Sequence, residues 1–426
     1  MSERSDVRMQ LRRRTGLIGL LTAEALSITG TRLSMVALPW FVLHEIDSPA
    51  LAGIVVFAEM APYVATKLFG GPLVDRIGTV TTSVGGDALS LLVVGAIPVL
   101  HLAHALPVPV LLLLVAMAGT FRGPADSAKQ VLLPALATRT GTPLERAAGL
   151  HDSVFRLGSM LGAPLAGVLI ALTDAANVLV LDAVSFGVAA LIIGVVVPPN
   201  TATVECSDDG YLAEIKAGWA FVRADKLLRA IVVMVSVTNL LDAAFAPVLI
   251  TVWASTGGGS ASALGIVLGV FSAGAVFAAL VASAWGHRLS RHRAYKWGFL
   301  LCGAPRFAVL ALPVPLWVTI TVFALSGFGA GFLNPFISAA EYERVPAAMQ
   351  ARVFGLITGL AFVGIPFGSL LAGFGVTWFG LVAMLLICGA AYLVMTLAPF
   401  LRPVWRQLDR STEQRDPTPA RGTIAA

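Results

Sequence analysis

Apolar runs long enough to cross a membrane recur along the whole chain, and short polar segments separate them. A helix needs about 20 residues to cross roughly 30 Å of hydrocarbon. The runs predict twelve membrane-spanning helices, at residues 16–43, 50–73, 80–100, 106–127, 146–172, 176–197, 229–254, 261–285, 295–312, 316–340, 352–374 and 378–400. Because strands of a membrane barrel would alternate between apolar and polar residues, the predicted fold class is an all-α membrane protein.

Basic residues divide the connecting segments into two sets. Six alternate loops contain neither Lys nor Arg, namely 44–49, 101–105, 173–175, 255–260, 313–315 and 375–377. The other loops and the two ends carry all but five of the 29 basic residues. Since Lys and Arg concentrate in cytoplasmic loops, we expect both termini in the cytoplasm and the protein in the cell inner (plasma) membrane.

Composition narrows the class of protein. The chain is 57% hydrophobic and only 12% charged, against about 25% charged in soluble domains. The net charge of +5 follows from the loop pattern and does not indicate a nucleic-acid partner. The three cysteines are far apart, so no metal site or cofactor is expected. Neither HExxH nor GxSxG occurs, and no Gly-Lys pair exists for a P-loop, so neither an enzyme nor an ATP-driven pump is expected.

The chain divides into two related halves. At a constant offset of 206 residues, eight of 23 positions are identical between 145–167 and 351–373, including the pair Gly167 and Gly373. A parallel repeat of six spans predicts two bundles around a pseudo-two-fold axis, with a cavity near the midplane that opens to each side in turn. The expected domains are a cytoplasmic arm (1–15), a six-helix bundle (16–197), a cytoplasmic middle loop (198–228), a second six-helix bundle (229–400) and a cytoplasmic tail (401–426).

The loop after the second span carries a short motif. Its G-x-L-x-D-R-x-G pattern consists of Gly71, Leu73, Asp75, Arg76 and Gly78. This resembles the signature loop of the major facilitator superfamily, although the basic residues that usually follow the last glycine are missing. The resemblance implies that Asp75 latches the two halves, against the N-terminus of the eleventh span near Arg352. The alternative is an ordinary capped turn.

The fifth span is rich in small residues. It contains Gly149, Gly158, Gly162, Pro164 and Gly167. This resembles, in part, the glycine-rich motif of antiporters of the same superfamily, and small residues let helices approach closely in lipid. Close packing without any role in transport direction is the alternative. The chain as a whole is similar to the branch of macrolide-efflux and enterobactin-export proteins.

Ionisable residues inside the spans are functional candidates, because each costs about 2.5–3.5 kcal/mol at the helix centre on insertion scales. The first half contains Glu24, Arg32, Glu59, Lys67, Asp87, Arg122, Asp126, Asp152, Arg156 and Asp182, and the second half only Asp242 and Arg306. We therefore expect proton coupling in the first half, with the candidates Glu24, Glu59, Asp152, Arg156 and Arg32. Spacing of four residues predicts the ion pairs Arg122/Asp126 and Asp152/Arg156. Structural ion pairs are the alternative reading of each residue.

The second half is expected to supply an apolar wall for the cargo. Cavity candidates are Asn239, Asp242, Phe245, Phe271, Arg306 and Asn334. The leading hypothesis is a secondary transporter that exports a hydrophobic or amphipathic drug-like molecule by proton antiport, and it is expected to act as a monomer. The alternatives are export of an endogenous siderophore or secondary metabolite, and a non-transporting membrane sensor or scaffold on the same fold.

Overall fold

The computed structural model describes residues 2–70, 74, 76–142, 144–198, 201, 219–256, 260–285, 290–345 and 350–409. These parts are helical and contain no strand. The helices are α1 (Ser2–Ile46), α2 (Pro49–Phe69), α3 (Thr79–Leu102), α4 (Val108–Thr140), α5 (Leu144–Leu172), α6 (Ala175–Val196), α7 (Lys226–Ala244), α8 (Ile250–Ser255), α9 (Ala261–Trp285), α10 (Arg291–Cys302), α11 (Ala304–Ala311), α12 (Leu316–Gly331), α13 (Leu333–Arg344), α14 (Gln350–Val363), α15 (Ile365–Phe379) and α16 (Leu381–Leu401).

Ten segments of the described chain are long and apolar enough to cross a membrane. A π-helical turn, Phe245–Leu249, joins α7 to α8 within one of them. The ninth and tenth predicted spans are each divided into two shorter helices, at Gly303 and at Phe332. Pro305 follows the first break, and it has no backbone N–H to continue a helix. The eleventh predicted span is likewise divided, at Gly364 between α14 and α15. The expected all-α architecture is confirmed, with these three spans interrupted.

The two halves repeat the same glycine-mediated packing. In the first half, a Cβ on Gly158 would lie 3.0 Å from Cγ2 of Ile28 on α1. In the second half, a Cβ on Gly364 would lie 3.1 Å from Cβ of Leu240 on α7. Gly158 and Gly364 are equivalent at the 206-residue offset, and each faces the first helix of its own bundle. The internal repeat predicted from the sequence is therefore confirmed by packing.

The bundles meet at two glycine crossings. On one side, α2 crosses α15, and a Cβ on Gly53 would lie 2.5 Å from the carbonyl oxygen of Ser369 and 3.0 Å from Cα of Gly373. On the other side, α5 crosses α9, where Gly167 and Gly265 meet backbone to backbone. All four glycines lie toward the end of the molecule formed by the loops without basic residues.

Several predicted segments lie wholly or partly outside the described residues. The middle loop is described only at 198, at 201 and from 219 onward, and the tail only through 409. In the motif after the second span, Gly71, Leu73 and Asp75 lie outside the described residues.

Candidate functional site

Glu24 and His151 join α1 to α5 inside the first bundle. Oε1 of Glu24 lies 2.8 Å from Nε2 of His151, and the Glu24 side chain is 9% exposed. Oε2 of Glu24 is buried and has no hydrogen-bond partner among the described residues. The sequence offered no local partner for Glu24, and the structure provides one 127 residues away.

Glu59 on α2 pairs with Arg122 on α4. The guanidinium Nη1 donates to Oε1 of Glu59 at 2.8 Å, and the two side chains are 4% and 5% exposed. The guanidinium also lies 4.8 Å from the ring centroid of Tyr63. The predicted pairing of Arg122 with Asp126 is therefore wrong, because the neighbouring helix supplies a more deeply buried carboxylate.

Tyr63 continues the polar contacts along α2. Its hydroxyl donates to Oδ2 of Asp126 at 3.1 Å and accepts from Nζ of Lys67 at 3.1 Å. Nζ of Lys67 also lies 6.0 Å from the ring centroid of Phe362 on α14. This contact links the polar residues of the first bundle to an aromatic residue of the second.

Lys129 is the most deeply buried cation among the described side chains of the first bundle. Its Nζ donates to Oδ1 of Asp87 at 2.9 Å and to Ser27 Oγ at 3.3 Å, and the Lys129 side chain is 1% exposed. It also lies 3.8 Å from Asp126. The expectation that Lys129 belongs to a cytoplasmic loop is wrong. Helix α4 continues to Thr140, through Pro124 and Pro134, so this side chain stays between the helices.

Two further polar residues hold α1 in the first bundle. Arg32 donates from Nε to Oγ of Ser159 on α5 at 3.2 Å. Asp182 on α6 accepts a short hydrogen bond from Ser34, and its side chain is fully buried. Together with Glu24, these contacts tie α1 to both α5 and α6.

The second bundle holds one ion pair at membrane depth among its described residues, with a buried cation and a partly exposed carboxylate. Arg306 on α11 donates to Asp242 on α7, and the Asp242 side chain remains 39% exposed. The guanidinium of Arg306 lies 4.7 Å from the ring centroid of Phe245 and 5.9 Å from that of Phe271. Aromatic rings thus surround the cation, while the carboxylate faces open space.

Of the remaining cavity candidates, some pack within the second bundle and others are at least partly exposed. Phe245 is 2% exposed and packs edge-on against Phe307, so it belongs to the core. The expectation that Phe245 lines the cavity is therefore wrong. The amide of Asn239 donates to the carbonyl of Ala361 at 3.2 Å, which ties α7 to α14. Phe271 is partly buried, and Asn334 is exposed near the start of α13.

The family model for the Major Facilitator Superfamily matches this chain twice, at residues 20–252 and 231–424. The chain belongs to the major facilitator superfamily. This membership confirms the resemblance that the motifs indicated. It also confirms the prediction of a membrane transporter rather than an enzyme.

Individual relatives fit the same family. The chain is 28% identical to "Multidrug efflux pump Tap" of Mycolicibacterium fortuitum, with 94% of this chain and 99% of that protein covered. It is 24% identical to "Staphyloferrin A transporter" of Staphylococcus aureus over 40% of this chain and 43% of that protein. The fold is similar to that of the nucleoside transporter NupG, with a TM-score of 0.71, 13% identity and coverage of 90% of this chain and 98% of that one.

The glycine motif of this superfamily member has two faces. Gly158 and Gly162 on α5 approach α1, whereas Gly167 approaches α9 of the other bundle, and Pro164 also faces α9 near Gly269. Gly149 lies in the first turns of α5. One helix therefore carries both the contact within its own bundle and the crossing between bundles.

Other predicted residues are placed only in part. Asp152 and Arg156 lie on α5, but their side chains fall outside the described part of the chain. In the latch motif, Arg76 is exposed and Gly78 has a φ of 93°, which favours glycine. The latch role of Asp75 stays a prediction.

Sequence reasoning missed Tyr63 and the depth of Lys129. Tyrosine in an apolar run gives no signal by itself. Lys129 follows Asp126 at the helical spacing of three residues, which places both on one face of α4. That spacing was the available sign that the fourth span continues beyond residue 127.

Proposed function

We propose that this protein exports a lipophilic or amphipathic molecule in exchange for protons, by alternating access between its two bundles. The family places the chain among membrane transporters. A relative that covers nearly all of the chain is named a multidrug efflux pump, which supports drug-like cargo and outward movement.

The Glu24–His151 contact is the observation that carries proton coupling. Histidine is the side chain that changes charge between pH 5 and 8, and a carboxyl beside it can share or exchange the proton. The contact joins α1 to α5, and α5 also crosses the opposite bundle at Gly167. A proton bound here acts on the helix that connects the two bundles.

The charge at membrane depth supports a neutral or cationic cargo. The described side chains there include the carboxylates of Glu24, Glu59, Asp87, Asp126 and Asp182 in the first bundle, against the permanent cations of Arg32, Lys67, Arg122 and Lys129. In the second bundle, the partly exposed carboxylate of Asp242 is offset by its partner Arg306. The excess of one carboxylate among the described side chains of the first bundle therefore favours a neutral or cationic cargo over a polyanionic one.

We also propose the orientation in which the loops without basic residues face outward. Both glycine crossings then hold the two bundles together at the outer side. In this orientation Asp75 would act as a latch on the cytoplasmic side when that side closes. The transporter is proposed to act as a monomer.

Transport in liposomes tests the proposal. Purified protein with an imposed pH gradient should move a lipophilic cation or a macrolide, and movement should stop when the gradient is collapsed with an ionophore. For the variant Glu24→Gln, the matched control is Glu45→Gln, since Glu45 lies on the same helix but is exposed at its end. Movement that persists without any gradient would reject proton coupling.

A siderophore exporter is the second candidate, supported by the partial match to a staphyloferrin A transporter. It predicts movement of a carboxylate-rich chelator and none of a lipophilic cation. Failure to move either compound, together with no ligand-dependent rise in melting temperature, would favour a membrane sensor or scaffold.

A further inference from the structure

A groove of about 350 Å³ runs between α10 and α12, at the end of the molecule where α10 begins. Its lining includes Ser290, Arg293, Trp297, Leu301, Phe328 and Phe332. Arg293 and Leu301 lie eight residues apart on one helix, which corresponds to about 12 Å. The groove is therefore polar and cationic at one end and apolar along the rest of its length.

Two glycines form the floor of this groove. A Cβ on Gly298 would lie 2.9 Å from the carbonyl oxygen of Gly329, and a Cβ on Gly329 would lie 2.7 Å from the carbonyl oxygen of Gly298. The two backbones touch and leave no side chain between the helices at this level. The larger side chains stand on either side and form the walls.

The groove lies among exposed apolar side chains on the surface of the second bundle. Trp297 is 52% exposed on one wall, and its ring packs edge-on against Phe400 of α16. On the other wall, Phe328 packs against Phe277 of α9, which is itself 62% exposed. Large apolar side chains exposed on both walls mark a surface that hydrocarbon covers. Tryptophan is typical of the depth where lipid headgroups meet the acyl chains.

Positive charge collects at the polar end. Arg293 is exposed and pairs with no acidic side chain among the described residues. Arg291 and Lys296 add two further cations within the same two turns of α10. At the start of the same helix, Asp409 accepts hydrogen bonds from Ser290 Oγ at 2.9 Å and from the backbone N–H of His292 at 3.1 Å. That carboxylate is therefore held by the helix N-terminus and leaves the Arg293 guanidinium available.

We propose that this groove binds one anionic phospholipid of the cytoplasmic leaflet. The phosphate contacts Arg293, and an acyl chain lies along Trp297, Leu301 and Phe328. Basic pockets between membrane helices on the cytoplasmic side suit such headgroups. A free phosphate would use only the cationic end, whereas a phospholipid uses both ends. The leaflet follows from the proposed orientation, but binding itself does not depend on it.

Lipid retention by the purified full-length transporter tests the site. Native mass spectrometry in detergent with equal phosphatidylglycerol and phosphatidylcholine should show at least tenfold preferential retention of one phosphatidylglycerol. Arg293→Gln should bring the two lipids to parity. Arg139→Gln is the matched control, since Arg139 is an exposed arginine at the end of α4 in the other bundle, near the same face, and it should retain the preference.

A second pair of variants tests the apolar part. Trp297→Ala should weaken retention of phosphatidylglycerol several-fold, while Trp317→Ala should not, although Trp317 is 67% exposed at the opposite end of the spans. Equal retention of both lipids by the unaltered protein would overturn the proposal. So would displacement of the lipid by soluble glycerol phosphate, or the same loss in Arg139→Gln as in Arg293→Gln.

Discussion

Gly167 of the first bundle crosses Gly265 of the second, backbone against backbone. The crossing has an equivalent on the other side of the pseudo-two-fold axis, where Gly373 meets Gly53. Gly167 and Gly373 are the same position of the internal repeat, 206 residues apart. The conformation closed at this end therefore depends on two symmetry-related contacts that no larger residue can make without displacing a helix.

Gly167→Leu should shift the transporter toward the conformation that is open at the end where the glycines cross. The added side chain would clash with the backbone of α9 at Gly265. Transport should fall at least tenfold while the protein still inserts. Spin-label distances between α5 and α9 should lengthen. Gly85→Leu is the control, since a Cβ on Gly85 would meet nothing within 4 Å. Unchanged distances in Gly167→Leu would remove the crossing from the transport cycle.

Glu24→Gln should abolish proton-coupled transport and leave cargo binding and expression largely intact. The amide can still hydrogen-bond to His151 but cannot take up or release a proton. Proton flux measured with a pH-sensitive dye during cargo movement would report the loss directly. Full proton-coupled activity in this variant would exclude Glu24 as the carrier.

Glu59→Gln should impair stability, unlike Glu24→Gln, although the sequence analysis proposes both Glu24 and Glu59 as proton carriers. Removing one partner of a buried pair costs about 3–5 kcal/mol because the other charge is left uncompensated, and Arg122 is 5% exposed on its side chain. We expect a clear fall in expression and melting temperature. The double variant Glu59→Gln with Arg122→Gln should recover much of the loss; without such recovery, the pair would not explain the defect.

Lys129→Met should destabilise the first bundle by a similar amount, because Asp87 would remain buried and charged or would have to be protonated. Combining it with Asp87→Asn should restore stability. Thermal unfolding in detergent measures both. Lys226→Met serves as the control, since Lys226 lies at the start of α7, outside this network.

The N-terminal end of α7, which Asp225 caps, provides a pH-dependent prediction. Burial raises the pKa of Asp225, but hydrogen bonds from the Leu228 N–H and from Arg344 outweigh it, and the net pKa is lowered. Such a carboxylate adds stability above its unfolded pKa of about 3.9, and that stability is lost as pH falls through the folded value. Asp225→Ala should cost about 0.5–2 kcal/mol at pH 7 through loss of the helix cap.

Asp225→Asn separates the cap from the charge. Asparagine caps helices about as well as aspartate, so this variant should lose only the contact with Arg344, which is 2.8 Å long in the native protein. The difference in melting temperature between native protein and Asp225→Asn should shrink as the pH falls below 4. A constant difference would show that protonation of Asp225 does not contribute.

The helical spans and the internal repeat could be predicted from the sequence because both depend on local patterns. Apolar runs and the recurrence of Gly167 as Gly373 need no knowledge of side-chain packing. The partners of the buried charges could not be found in this way. Arg122 has Asp126 one turn away on its own helix but pairs with Glu59, 63 residues distant, since the facing helix places that carboxylate in contact.

The order of charges along the chain has a consequence for how the protein is made. In the four long-range pairs that the described residues form within the spans, the acid precedes the base: Glu24 before His151, Glu59 before Arg122, Asp87 before Lys129 and Asp242 before Arg306. A carboxylic acid can enter lipid in its neutral, protonated form, whereas an arginine cannot lose its charge. During synthesis, each of these acids is therefore already in the membrane when its partner cation arrives.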